Sequence, residues 1–233
     1  MQDNNYQLCQ SLSLKDRVYS ALKNEIIVGA LKPGTPLNLI ELCNKMNISA
    51  APLREAINML AKDGFVMLNP RKHAIVSDIS FEGLDTIIYL RSTIEPYAAR
   101  ISIDKIPQSR IASMRFVLRQ ILDCPTDAEG YVASDLALHE LLHQYAGSRL
   151  LSEIITTVKE HSIRLRYSVE RFEEDNSDAR ASVALISTME HLEILDALES
   201  RNEDKVYSCV YNHIMNFGKR LKDRANLSMG LKT

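Results

Sequence analysis

Asp135 and His139 stand four residues apart, and in a helix that spacing puts a carboxylate and an imidazole on one face. The same face carries Val132, Leu136 and Leu142, which marks it as a packed side, where an ionised carboxylate is costly without a partner. Two more histidines share the pattern. His191 has Ile194, Leu195 and Leu198 on its face, and His213 has Val206, Val210 and Phe217, so both rings face inward. The connection between their segments centres near Arg201-Asn202, about ten residues after His191 and about eleven before His213, so an antiparallel helix pair brings both rings to one height. One Asp and three His form an N/O donor set for a divalent metal ion, zinc or nickel first, with manganese or iron also compatible. Such a set leaves coordination positions open for a ligand. A lone interior histidine is more often a hydrogen-bonded core residue; four donors at compatible levels are what favour an ion.

Neighbouring groups compete for roles. His143 extends the Asp135-His139 stripe by one turn and would replace a ligand or line the cavity. His161 lies further from the Gly147 turn than His139 does, which places it at another level. Cys209 precedes His213 by one turn, but suits a small apolar core role better. Arg91 and Glu95 are an i,i+4 pair: either a structural salt bridge, or a site where Arg91, as a fixed fork, anchors the carboxylate of a small effector.

These donors need helices to hold them, and the second half of the chain supplies helical stretches. They run from Phe81 to Ile103, Pro107 to Leu122, Thr126 to Ala146, Leu150 to Phe172, Ala179 to Ser200 and Asn202 to about Arg224, as the periodicity indicates. The breaks fall at Lys105-Ile106-Pro107, Cys124-Pro125, Gly147-Ser148, the acidic "EEDNSD" segment and Arg201-Asn202. Helices with short connections predict an antiparallel bundle, a fold that places metal and ligand sites between facing helices.

The first third reads differently. Residues 1–13 are polar and without periodicity, a loose arm. Val18, Leu22, Ile26 and Ile27 recur at helical spacing until Gly29 and the "LKPGTPL" turn. "NLIELCNKMN" predicts a short second helix. Ser49 then serves as N-cap of a third, with Pro52 in its first turn and Leu53, Ile57 and Leu60 on one face, ending near Asp63 before Gly64. "FVMLNP" and "HAIVSDI" flank the turn Asn69-Pro70-Arg71-Lys72 and predict a hairpin. Three helices and a hairpin make a winged helix-turn-helix, whose third helix enters a DNA major groove while the wing reaches a neighbouring groove or phosphate. The expected class is therefore mainly α: a loose arm over 1–13, a winged helix-turn-helix over 14–79 and an all-α antiparallel helical bundle over 80–233.

Composition agrees with a globular protein. The 233 residues carry a net charge of −2, with 9 Lys+Arg against 7 Asp+Glu in residues 1–78 and the excess acid beyond them. That asymmetry is too mild to prove a nucleic-acid partner. Cys9, Cys43, Cys124 and Cys209 show no paired spacing, which fits reduced core cysteines better than a disulfide framework or a zinc ribbon. No apolar run approaches the roughly 20 residues of a membrane span, and no basic-then-apolar leader opens the chain, so a cytoplasmic location is expected.

The run "GALKPGTPLNLIELCNKMNISAAPLREAINMLAKDGFVMLNPRKHAIV" resembles the N-terminal domain of GntR-type transcriptional regulators, with its PG turn, its "SRTPVREAL" helix start and its wing. The helical remainder resembles the FCD effector domain of the FadR subfamily: "LRSTIEPYAAR", "DLALHELL" and "EHLEILDALESRNEDKVYSCVYNHI" fall in the family's order. The resemblance implies a homodimer on double-stranded operator DNA, acting as a repressor, with a small carboxylate effector at a metal site made by Asp135, His139, His191 and His213, and Arg91 beside it. It also implies DNA contacts by Ser49, Ala50, Arg54, Arg71, Lys72 and His73. Arg54 matches the arginine of "VREAL". Ala50 stands where the family commonly has a base-reading arginine, and His73 where its wing usually has glycine. Two rivals use the same residues: a regulator for which the ion itself is the signal, and a metal-dependent enzyme. An enzyme would need a general base beside the ligands and has no use for a winged helix.

Overall fold

The structure is a computed structural model that describes residues 12–69, 73–78, 81–170 and 177–228. The chain divides into two compact units, Met1–Ile79 and Ser80–Thr233. Among the described residues no helix is long and apolar enough to cross a membrane.

The first unit packs three helices on a small sheet. Helix α1 (Leu14–Ile27) starts at Ser13, whose hydroxyl accepts the Asp16 N–H, and ends before Gly29 at φ 70°. Asn38 caps α2 (Leu39–Met46) by accepting the Ile40 N–H, and Asn47 closes it in the left-handed region at φ 51°, a conformation Asn tolerates better than most residues. Ser49 occupies the N-cap position of α3 (Ala50–Lys62), but its hydroxyl makes no capping hydrogen bond. Leu22 and Ile26 from α1 meet Leu53, Ile57 and Leu60 from α3, with Phe65 and Val76 closing the core.

The sheet is larger than the expected hairpin. β2 (Val66–Met67) and β3 (Ala74–Val76) pair antiparallel, and β1 (Pro36–Leu37) adds to the other side of β3, giving the order β1-β3-β2. β1 arises from the "GTPL" segment read only as a turn. Two residues are too few to show a period of two, and their partners Ile75 and Ala74 lie far along the chain. Its proline sits in an edge strand, where a missing N–H is tolerated. The arm over 1–11, the wing residues Arg71 and Lys72, and most of the acidic segment lie outside the described residues.

The second unit is all-α: α4 (Phe81–Ser102), α5 (Gln108–Asp123), α6 (Ala128–Gln144), α7 (Arg149–Glu170), α8 (Ser177–Glu199) and α9 (Glu203–Ser228). α4 is the hub and packs on α9, α7 and α6, while α8 packs on α5 and α9. The α8–α9 connection turns at Arg201, left-handed at φ 51° and tied by its guanidinium to the Ile106 carbonyl at 2.9 Å. Asn202 then caps α9 by accepting the Lys205 N–H. This tight corner sets the height at which His191 and His213 meet.

Candidate functional site

The bundle brings Asp135 and His139 from α6, His191 from α8 and His213 from α9 together. One donor atom from each lies within 4.8 Å of the other three. His191 Nε2 stands 3.2 Å from His213 Nε2 and 3.3 Å from Asp135 Oδ1, and His139 Nε2 stands 3.9 Å from the same oxygen. Two atoms each ~2.1 Å from one ion are at most ~4.2 Å apart, so these three separations suit a shared ion. The three imidazoles are buried, and Asp135, 17% exposed at its side chain, is on the open side.

Hydrogen-bond accounting favours a cation in the middle. Glu190 Oε2 holds His213 Nδ1 at 2.8 Å, and Glu95 Oε2 stands 2.6 Å from His139 Nδ1. An ionised carboxylate only accepts, which places the ring proton of His213 on Nδ1 and leaves its Nε2 as a lone pair aimed at the centre. A neutral His191 has one Nε2 proton to offer, while His213 Nε2 and Asp135 Oδ1 both stand within reach of it. A divalent ion would satisfy all four donors at once, and the residues present fit one.

Arg91 makes the structural pairing weighed for it and also reaches the edge of the cluster. Its Nε donates to Glu95 Oε1 at 2.6 Å and one terminal nitrogen donates to Ser162 at 2.9 Å, which is the structural pairing. The other terminal nitrogen reaches 3.4 Å from His139 Nε2 and so stands at the edge of the cluster. Arg166 approaches Asp135 Oδ2 at 3.4 Å and lies over the Tyr131 ring. Between these groups, with Lys159 and Ser162, is a cavity of about 20 Å³, near the room one water needs.

The neighbouring candidates stay outside the cluster. His143 is buried one turn on, 3.3 Å from Glu140 Oε2, and does not line the cavity. Cys209 and Cys43 are half-buried free thiols, and Cys124 is exposed at the C-cap of α5, so the described cysteines are not the core residues expected.

In the other unit, α3 buries Leu53, Ala56, Ile57 and Leu60 and exposes Ala51, Arg54, Glu55 and Asn58 as one stripe. Glu55 pairs with Lys15 at 3.1 Å, whereas no carboxylate among the described residues pairs with Arg54. Ser49 is exposed at the helix start, Ala50 is half-buried beside it, and His73 is exposed ahead of β3.

Residues 14–76 match the bacterial regulatory proteins of the gntR family, and residues 86–216 match the FCD domain. The chain belongs to the GntR family and carries an FCD domain. It is similar to the HTH-type transcriptional repressor RspR of Escherichia coli K12, 26% identical over 218 residues that span 93% of this chain and 92% of that one. The Nta operon transcriptional regulator of Aminobacter aminovorans is 29% identical over 187 residues, 78% of this chain and 82% of its own. The solved structure of E. coli McbR/YncC has the same fold, with a TM-score of 0.77 at 19% identity, covering 93% of this chain and 100% of that one. This GntR regulator is a DNA-binding transcription factor and not an enzyme.

Electrostatics in its FCD domain prepare the donors. Burial pushes His191 below the usual histidine range, and burial with repulsion from His191 pushes His213 down to about 3, so both rings are neutral, the form that binds metal. Burial would raise Asp135, but the His191 hydrogen bond and the charges of His139 and Arg166 outweigh it and keep the carboxyl ionised. Glu190 is likewise held at about 2, against its burial, by Arg220 and His213.

Sequence reasoning missed Glu190 and saw Glu95 only as a partner of Arg91. Both are carboxylates behind a histidine, the arrangement that fixes tautomer and ring orientation at metal sites. Glu190 adjoins His191 in sequence but serves His213, and Arg220 grips it at 2.7 and 2.9 Å. Adjacent helix positions point about 100° apart, so no spacing rule links Glu190 to the other ligands.

Proposed function

We propose that this regulator is a cytoplasmic homodimeric repressor whose affinity for its operator is set by a small organic acid bound to a divalent metal in the FCD domain. The observation that carries the reading is the convergence of three histidine Nε2 atoms and an Asp135 oxygen, with an Arg91 terminal nitrogen 3.4 Å from one of them. Asp135, His139, His191 and His213 would hold the ion, zinc or nickel ahead of manganese or iron. The ion would supply a Lewis-acid position for a carboxylate oxygen. Arg91 then offers that carboxylate a charge-assisted hydrogen bond while Glu95 and Ser162 keep the guanidinium in place.

At the DNA, Arg54 contacts base edges or phosphate from the exposed face of α3, with Ser49 and Ala50 at the helix start and Arg71, Lys72 and His73 on the wing. Support for a dimer comes from apolar surface on packed helices: Tyr89 and Tyr97 of α4 are 70% and 52% exposed, and Tyr207 and Tyr211 of α9 add to it.

The small size of the cavity at the cluster favours one other reading, in which the ion alone is the signal. Operator titration separates the two. Metal-loaded protein should bind DNA and release it only when a carboxylate is added; release on metal binding or removal alone, with no carboxylate effect, would establish the ion as the signal. Purified protein that takes up no divalent ion at neutral pH would end both readings.

A further inference from the structure

A helix that reads bases must be held at a fixed roll and slide on its scaffold, because a recognition constellation tolerates displacements of only ~0.5 Å and rotations of ~10–20°. The apolar seam between α1 and α3 does not supply that alone. Leu22 and Ile26 meet Leu53, Ile57 and Leu60 there, and apolar contact is non-directional, so it fixes the separation of the helices more firmly than their rotation. A directional bond between the two elements would fix both.

One such bond stands at the C-terminal end of α3. Asp63 is the C-cap, and the chain leaves through Gly64 at φ 81°, with the Gly64 N–H donating to the Ala61 carbonyl at 3.1 Å and the Phe65 N–H to the Leu60 carbonyl at 2.9 Å. This pair of bonds is a Schellman closure. It sets the shape of the corner between α3 and β2, but it is local and leaves open where that corner sits against α1. Tyr19 of α1 decides it, since its hydroxyl donates to Asp63 Oδ2 across 44 positions of sequence. Lys23, one turn further along α1, donates to the same Tyr19 oxygen at 2.9 Å and lies 4.8 Å from the Tyr19 ring and 5.9 Å from the Phe65 ring. Burial, and then the Asp63 hydrogen bond, push the Tyr19 hydroxyl above the ordinary tyrosine range, so it keeps the proton it donates. The Tyr19 ring packs on the core of this unit. Loss of the hydroxyl alone therefore cuts the tie and keeps the apolar contact.

We propose that Tyr19 is a positioning residue for DNA reading: through Asp63 it holds the corner from which α3 runs back to its base-reading end and β2 runs out toward the wing. It thereby sets the angle at which both meet the duplex. The role is exerted through Asp63 and not by contact with a base, and it rests on α3 being the helix that enters the groove with Arg54.

The test uses the full-length protein and a duplex that the wild type selects from randomised DNA, with a scrambled duplex of the same length as control. Tyr19→Phe and Asp63→Ala should each lower the ratio of selected to scrambled affinity about tenfold, within the range that one misplaced base contact costs. For Tyr19→Phe, which changes no charge, affinity for the scrambled duplex should stay at the wild-type value, because that binding depends on the phosphates. Each titration is run well below the melting temperature of the variant, so lost stability by itself does not move the ratio. The double variant should discriminate no worse than the weaker single one, because both changes cut the same bond. An unchanged ratio in either single variant, or losses that add fully in the double one, overturns the inference. Arg54→Ala, measured alongside, separates the two readings. Discrimination lost there but kept in Tyr19→Phe removes the positioning role alone, whereas discrimination kept in Arg54→Ala removes α3 as the reader and the positioning role with it.

Discussion

The two units of this regulator keep their functional residues in opposite ways. On α3 the candidate DNA contacts Ser49 and Arg54 are exposed and carry no structural duty, with the core held by Leu53, Ile57 and Leu60 on the other face. In the FCD domain every candidate ligand is packed among other elements, and each histidine depends on a second group for its orientation or charge state. Partner DNA completes the first site from outside, so its residues wait in solvent. The second must be finished before its ligand arrives, because a buried donor without a partner is costly. Changes on α3 should therefore alter binding without altering stability, while changes in the bundle should alter both.

The largest effect should follow removal of the ion. Chelation, or His213→Ala, should abolish stoichiometric metal uptake and the rise in melting temperature that metal gives. At a thousandfold excess over Kd that rise reflects ~4 kcal/mol, readable by calorimetry with and without metal. A His213→Ala protein that still holds one ion per chain would remove this residue from the site.

Arg54→Ala comes next. Lost contacts of ~1–3 kcal/mol in each half-site should remove specific operator binding, while the melting temperature stays within ~0.5 kcal/mol of wild type, as for an exposed position. Gel-shift titration beside thermal melting checks both halves. A stability loss as large as that of a bundle variant would break the contrast between the units.

Glu190→Gln is a smaller test of the orienting carboxylates. With the shape kept and the charge removed, metal affinity should fall about 10- to 100-fold. Some stability should go as well, since Arg220 loses its bidentate partner. Unchanged metal affinity would mean that His213 is positioned by packing alone.

Ala50→Arg should have the least effect. Restoring the arginine common in the family should sharpen selection for guanine at one base pair per half-site by about 1 kcal/mol, measured by selection from randomised operators. An unaltered profile would place this half-buried position away from the groove.

How far the chain could be read in advance depended on the range of each interaction. Helix positions followed from local periodicity, and the four candidate ligands followed from i,i+4 spacing and from counting outward from the Arg201-Asn202 corner. β1 could not be found that way, since its two residues are a strand only because Ile75 and Ala74 lie beside them. Glu190 was hidden for a related reason: it faces away from its neighbour His191 and meets His213 and Arg220 from another helix.

By itself, then, the order of residues determined which segments are helical, which faces are buried and which donors share a face, because those properties depend on neighbours within a few positions. Tertiary structure alone decided which carboxylate orients which histidine, that an Arg91 nitrogen reaches the cluster while the rest of the group holds Glu95 and Ser162, and that Arg166, Arg180 and Arg224 line one cavity. Those relations join side chains from separate helices, and their distances depend on how the helices pack against one another, a property of the whole bundle that no local spacing encodes.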